Sequence, residues 1–296
     1  MYNKIAATSP IGSQKHMPGD LIIFDLAKLG EAAKTLIEKI GNAGWVLYEP
    51  YYVERMAEAE VAAERMRALG HVETRALLRL THQVERKQRN VAQVTAGAIP
   101  LLGTDAKPQD VDEDWLAFLF ERAKLVSDSE MQSLWSRLLA GEVNSPGAFS
   151  RRTLQVVASL EKRDAHLITA LCRFVWVIRQ DWQPVVVDPT AKVYTDAGIN
   201  FDTLVHLDAL GIVRFESAIN LMLEEMPSTF EASYFDTRFS MELPGTTNGN
   251  LPVGTVALTS VGKELVRIAG ASQVDGFPEY CIGHYWPRFR VTVSRV

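Results

Sequence analysis

The chain has 296 residues, of which 47% are hydrophobic and 23% charged, with a formal net charge of -5 at pH 7. That length suits about two domains with a real core, and the acidic balance gives no general pull toward nucleic acid, so an anionic partner would need a local patch. Only Cys172 and Cys281 are present, far apart, which excludes a disulfide framework or a cysteine-rich zinc site and suits a reducing compartment.

No apolar run reaches the ~20 residues of a membrane-spanning helix. The best, Ala165 to Ile178, is short and carries Arg173. The start of the chain lacks the basic, apolar and cleavage regions of a signal peptide. The expectation is a cytoplasmic protein with no membrane partner, organised as a flexible arm (1–20), a helical self-association region (21–108), a compact helical domain (109–180) and a winged-helix-like α+β domain (181–296). The fold class is mainly α.

In chain order, residues 1–20 show no periodicity. From Ile22, the positions Ile22, Leu26, Leu29, Ala33, Leu36 and Ile40 fall on one helix face, which Gly41 and Gly44 stop. From about Pro50 to Ala98 a seam at 3–4 spacing includes Met56, Ala63, Met66, Leu77, Leu80, Val84, Val91 and Val94. It fits a helical hairpin turning near Gly70 or one long helix, and these eight residues are the expected self-association surface.

Opposite the seam, Arg75, Arg79, His82, Arg86 and Arg89 are spaced 4, 3, 4, 3. At 100° per residue they lie within about 40° of one line. Such a stripe would hold phosphates or an acidic partner; the plainer alternatives are a solvated face or pairing with Glu54, Glu58, Glu60 and Glu64. Arg75-x6-His82 and Arg65-x5-His71 also fit the loose arginine-to-histidine spacing of HEPN-type ribonucleases, in which the pair positions and protonates a scissile phosphate. Arginine and histidine fall at such spacing often by chance.

Ile99 to Pro108 reads as a linker. Asp110 with Glu113 makes one capping box, before Trp115, Phe118 and Leu119; Ser127 with Glu130 makes another, before Met131, Leu134, Trp135, Leu138 and Leu139. The acidic run Asp110, Asp112, Glu113 and Asp114 complements a helix N-terminus, a simpler account than a metal cluster. Pro146-Gly147 marks a turn, and helices follow at about 149–160 and 162–179. Strands are expected only after Trp182: one at Val185 to Val187, one from Ile212 to Phe215, and alternating segments over Phe230 to Leu243 and Val253 to Leu258. A helix over Phe201 to Leu210 is stopped by Gly211. Thr259 caps a last helix ending near Gly270, and Tyr280 to Val296 alternates like one or two strands.

The order helix, Gly211, strand, wing, strand, Leu258-Thr259-x-x-Gly262 helix resembles prokaryotic winged-helix domains. The helix that would read DNA carries Asp202, His206 and Asp208 and no Lys or Arg, which weighs against that role. No HExxH, phosphate-binding glycine loop, dinucleotide fingerprint or nucleophile elbow is present. Beyond Arg75 and His82, no catalytic, cofactor or metal site is expected.

The W-x-x-L-L-A of Trp135 to Ala140, the P-G-x-F-S of Pro146 to Ser150 and the helix to Asp164 make a signature. With YEPYYVERMAEAE at Tyr48 to Glu60 and LTSVGKELVRIAG at Leu258 to Gly270, it resembles the bacterial domain of unknown function 2806 family. More loosely, it is similar to the abortive-infection alpha proteins. The resemblance implies a bacterial source and an association with phage defence or mobile elements, and it supplies no reaction. The expected function is a non-enzymatic component of an antiphage system, a homo-oligomer with a protein partner from the same operon. The alternatives are a metal-independent ribonuclease of HEPN type and a DNA-binding regulator, with nucleic acid the less favoured partner.

Overall fold

A computed structural model describes residues 14–17, 21–42, 71–245 and 249–296. The chain divides between Leu154 and Gln155 into two compact units.

The first unit opens with an antiparallel hairpin of β1 (Gln14–Met17) and β2 (Leu21–Phe24). The strands correct two expectations, that 1–20 is wholly an arm and that a helix begins at Ile22. Leu21-Ile22-Ile23-Phe24 is an unbroken apolar run with β-branched and aromatic members, which favours extended pairing over helix. A 3-10 turn at Leu26–Lys28, capped by the Asp25 side chain, ends it. Helix α1 (Glu31–Asn42) then buries Ala33, Leu36, Ile37 and Ile40, the later half of the expected face.

Helix α2 (His71–Ala98) runs 28 residues, about 42 Å at 1.5 Å per residue. A turn near Gly70, and the seam residues Met56, Ala63 and Met66, lie outside the described residues. Its environment changes along its length: residues 78–86 are exposed, whereas Asn90, Val91, Ala92, Val94, Thr95 and Ala98 are buried.

The buried end packs on α4 (Ser129–Asn144). A Cβ at Gly97 would lie 2.5 Å from Ser136 Oγ, and that hydroxyl donates to the Val94 carbonyl at 2.9 Å. The two helices therefore approach where side chains are smallest, and Trp135, Leu138 and Leu139 fill the space beside them.

Between them, α3 (Glu113–Ala123) is capped by Asp112, whose Oδ1 accepts from Trp115 N at 2.7 Å; α4 is capped by Asp128, which accepts from Glu130 N and Met131 N. The caps thus sit two residues after Asp110 and one after Ser127. Asp112 meets the third orphan N–H of its helix and Asp128 the second and third of its own, and Ser127 bonds Asn90 instead.

The Pro146-Gly147 turn is held by buried Glu142, which accepts from Gly147 N at 2.6 Å and Phe149 N at 3.0 Å. Trp115 Nε1 donates to Phe149 O at 2.6 Å. Helix α5 (Arg151–Ser159) follows and carries the boundary between the units.

The second unit starts with α6 (Lys162–Cys172), which ends before the expected 179. Val175–Ile178 is instead strand β3, paired with β4 (Asp181–Pro184) through a two-residue turn in which Arg179 and Gln180 have φ of 49° and 68°. Strands therefore begin before residue 180. A Val-Trp-Val-Ile run suits a buried pleat better than a helix, and both turn residues adopt the left-handed geometry that matches strand twist.

Helices α7 (Lys192–Thr195) and α8 (Phe201–Ala209) precede β5 (Val213–Phe215). Then come β6 (Leu221–Met226), β7 (Thr229–Tyr234), β8 (Thr237–Glu242), β9 (Gly249–Gly254), β10 (Val256–Leu258) and α9 (Ser260–Val266). Most of the expected Tyr280–Val296 strand is helical: α10 (Phe277–Tyr280), a π turn over Cys281–Tyr285 and a 3-10 turn over Trp286–Phe289. Only β11 (Thr292–Arg295) is extended. Its alternation was aromatic, and these rings go into a core rather than onto a pleat. Trp286 stacks edge-on to Trp176 at 4.9 Å, beside Tyr234 and Phe239.

The strands form an antiparallel five-stranded sheet ordered β11-β8-β7-β3-β4 and two pairs, β5-β10 and β6-β9. As expected, Gly211 (φ 74°) stops α8 and Thr259 caps α9 through its hydroxyl.

Helix α9 lies so close to the start of β5 that a Cβ at Gly262 would stand 2.1 Å from the Ile212 carbonyl oxygen. Gly262→Ala should destabilise the second unit by about 2 kcal/mol or more, the scale of an overpacked core. Gly283→Ala, with open space around it, should be neutral or stabilising. Urea unfolding of the two variants checks this, and equal midpoints would contradict it.

Candidate functional site

Helix α2 carries the predicted stripe. Arg75, Arg79, His82 and Arg86 are exposed and Arg89 is half-buried, all on one continuous helix. His82 Nδ1 lies 3.5 Å from Glu85 Oε2, one turn on. Glu54 to Glu64, the alternative internal partners, lie outside the described residues.

At the base of the stripe, His82, Glu85, Arg86, Arg89, Asn90, Gln93 and Ser127 line a shallow pocket of about 440 Å³. Among its described lining residues it takes in His82 and leaves Arg75 out.

Asn90 forms its floor. The amide donates to Lys124 O at 2.9 Å and Ser127 Oγ at 3.2 Å, while Asn90 Oδ1 accepts from Gln132 Nε2 at 3.3 Å. Gln132 Nε2 also donates to Val126 O at 2.9 Å. Asn90 and Gln132 are both buried, so this network is stiff and nearly every polar atom in it has a partner.

The apolar seam splits in two. Leu80 is 56% exposed and Val84 62%, while Leu78, at 50%, lies on a different face of the helix. Val91 and Val94 are fully buried, so they belong to the intramolecular core and correct the expectation that they pair copies. The reason is local: from Asn90 onward, α4 already covers this face. The Leu77 side chain lies outside the described residues.

Elsewhere the structure assembles a pair with no local sequence signal. In the second unit, His206 Nε2 on α8 meets Asp164 Oδ1 on α6 at 2.7 Å, while Asp164 Oδ2 accepts from Glu161 N at 2.8 Å. One buried carboxylate thus closes the α6 capping box and orients an imidazole that is 46% exposed. Burial works to raise the Asp164 pKa, but the hydrogen bonds from His206 and Glu161 and the charges of His206 and Arg163 leave it below the usual carboxylate value.

The acidic run resolves into helix electrostatics. The Trp115 N–H, with help from Arg151, holds the Asp112 carboxyl below its ordinary value. Arg151 reaches Asp112 at 3.3 Å and Asp114 at 3.2 Å. No group of three His, Cys, Asp or Glu among the described residues could hold a metal. Cys172 and Cys281 are buried free thiols; burial pushes Cys172 up to about 12 and Cys281 well above its ordinary value, so neither supplies a thiolate near neutral pH. No helix among the described residues is long and apolar enough to cross a membrane.

The family described as a protein of unknown function (DUF2806) matches residues 74–281, more than half of the chain. The chain belongs to that family. No curated protein and no solved structure matches it.

Because the folded Asp164 pKa is depressed, its contribution to stability is present above the unfolded carboxylate value near 4 and is lost as pH falls through the folded value. Asp164→Asn should cost the second unit on the order of 1–3 kcal/mol at pH 7, the scale of a charged hydrogen-bonded partner removed from a buried site. The gap to the wild type should close as pH falls below about 4. Thermal melts at pH 7 and pH 3 read both, and a gap unchanged with pH would contradict the charge-based account.

Proposed function

We propose that this chain acts without catalysis, as a self-associating component of a bacterial antiphage system of the abortive-infection kind that works through partner binding in the cytoplasm. The observation that carries the reading is the two-part character of α2. Its C-terminal part is anchored in the core, while the preceding turns expose Leu80 and Val84, one turn apart on the face opposite a row of cations. Clustered exposed apolar side chains on a regular element mark association surfaces more often than isolated ones do.

Leu80 and Val84 are each more than half exposed. Covering one would therefore contribute roughly 1–2 kcal/mol, and a two-fold pair of helices counts every contact twice. That sum is large enough to offset a substantial part of the cost of association. The defence context rests on the looser likeness to abortive-infection alpha proteins.

In the second unit we read the α8, Gly211, β5, β10, Thr259, α9 order as winged-helix-like. A β5-β10 antiparallel pair supports this, with β6 to β9 lying between the two strands in the sequence where a short wing would stand. Helix α8 has Asp202 and Asp208 and no Lys or Arg, which favours docking to protein over reading DNA. A ribonuclease built on Arg75 and His82 draws less support, because the described residues lining the pocket at His82 do not include Arg75.

Light scattering should give a mass well above the 33.0 kDa of one chain. Leu80→Asp with Val84→Asp should return it to the monomer with little change in melting temperature, since both positions are exposed. In cells, the same variant should lose protection in a phage plating assay. A wild type that is monomeric at roughly ten micromolar, a concentration at which a micromolar dimer would form, would refute self-association through this face.

A further inference from the structure

We infer that the pocket at the base of the α2 stripe is a phosphate-binding site, and that its ligand is a phosphate group carried by a nucleic-acid backbone or by a small phosphate compound. This goes beyond self-association and needs none of it.

Outside the floor network, the lining donors come from His82, Arg86, Arg89 and Gln93, while the Asn90 amide is already committed to Lys124 O and Ser127 Oγ. On α2, His82, Arg86, Arg89 and Gln93 follow one another at 4, 3 and 4 residues, so their side chains leave the helix along one line. The Asn90 to Ser127 bond fixes the floor across the helix-to-loop junction. The floor then need not reorganise to receive a ligand, which lowers the cost of binding.

Arg89 supplies the second, independent observation. Its Nε–H is buried and meets no hydrogen-bond acceptor among the described residues. A buried donor without an acceptor carries a free-energy cost, which an oxyanion drawn against the guanidinium would relieve with a small shift of the side chain. Guanidinium groups present paired donors whose geometry matches phosphate oxygens.

Among the described residues, Glu85 is the carboxylate that lines the pocket, and it opposes an anion. Its Oε2 faces His82 at 3.5 Å, so protonated His82 would offset part of its charge. Among the described residues no aromatic side chain lines the pocket, hence these residues offer no base-stacking platform. Recognition would rest on the phosphate alone and be independent of sequence.

Two features favour a nucleic-acid backbone as the source. Arg79 and Arg75 continue the row for about 10 Å beyond His82, farther than one phosphate group extends. Both are exposed.

The test uses the full chain, a fluorescently labelled single-stranded RNA oligonucleotide followed by anisotropy, and pyrophosphate followed by calorimetry, both at low salt. At least one probe should bind. Arg86→Gln and Arg89→Gln should each weaken that binding about tenfold or more, the equivalent of one charged hydrogen bond. Arg152→Gln, an exposed arginine away from the pocket, should leave it nearly unchanged. Glu85→Gln should tighten binding by removing the like charge.

If the oligonucleotide binds, each arginine removed should lower the slope of log affinity against log salt by about 0.7, and the source is a nucleic-acid backbone. If pyrophosphate alone binds, the source is a small phosphate compound. Arg86 is exposed, so its variant reports even if Arg89→Gln fails to fold. The proposal is overturned if neither probe binds, if Arg152→Gln weakens binding as much as Arg86→Gln does, or if Glu85→Gln weakens it.

Discussion

The organisation of the first unit depends on one junction, where α2 passes from surface to core at Asn90. A buried amide is tolerated only if its donors and acceptor all find partners. Asn90 meets that demand by bonding Lys124 O, Ser127 Oγ and Gln132 Nε2 at once. The same bonds tie the end of α3 and the start of α4 to one point on α2. Below it, Gly97 and Ser136 let the two helices approach closely. Above it, the turns carrying Leu78, Leu80 and Val84 keep their apolar side chains in water. Anchor, pocket floor and exposed faces are therefore consequences of a single polar cluster, not separate features. An apolar residue at Asn90 would take the amide donor from the Lys124 carbonyl and one of two acceptors from Gln132 Nε2, at a cost of about 1–3 kcal/mol.

The second unit solves a different problem. Its sheet is short-stranded, and the aromatic set of Trp176, Tyr234, Phe239 and Trp286 supplies much of the buried volume. Helices α6 and α8 are joined by the Asp164–His206 contact, which adds a charged fastening to apolar packing. Family membership covers residues of both units, from 74 to 281. The signature residues have structural duties: Trp135 is core, and Glu142 ties the chain back onto the Pro146-Gly147 turn.

Local chemistry was legible in the sequence wherever one residue type has one reason to be there. Gly211 stops α8 and Thr259 caps α9 because a left-handed residue and a capping hydroxyl are needed at those points. The arginine row was legible because helical geometry alone places it. The Val175–Ile178 strand is not legible because a continuous apolar run fits a buried helix or a buried strand equally well, and only pairing with β4 and β7 decides between them. Asp112 displaced Asp110 as a cap because several acids in a row satisfy the same pattern. What no pattern held was distance across the fold. Asp164 and His206 are 42 residues apart, and the division of the seam at Asn90 depends on where α4 lands. The candidate pocket is of this second kind, since Ser127 joins the stripe only through tertiary packing.

The central claim is that α2 is two helices in energetic terms, an anchored part from Asn90 onward and a projecting part before it. Amide hydrogen exchange followed along α2 at several protein concentrations tests this most directly, because exchange reports local opening free energies. The account predicts slow, concentration-independent exchange over Asn90 to Ala98. It predicts markedly faster exchange over Arg75 to Arg86 in dilute protein, slowing as concentration rises and copies cover Leu80 and Val84. Uniform protection from Arg75 to Ala98 at every concentration would contradict it.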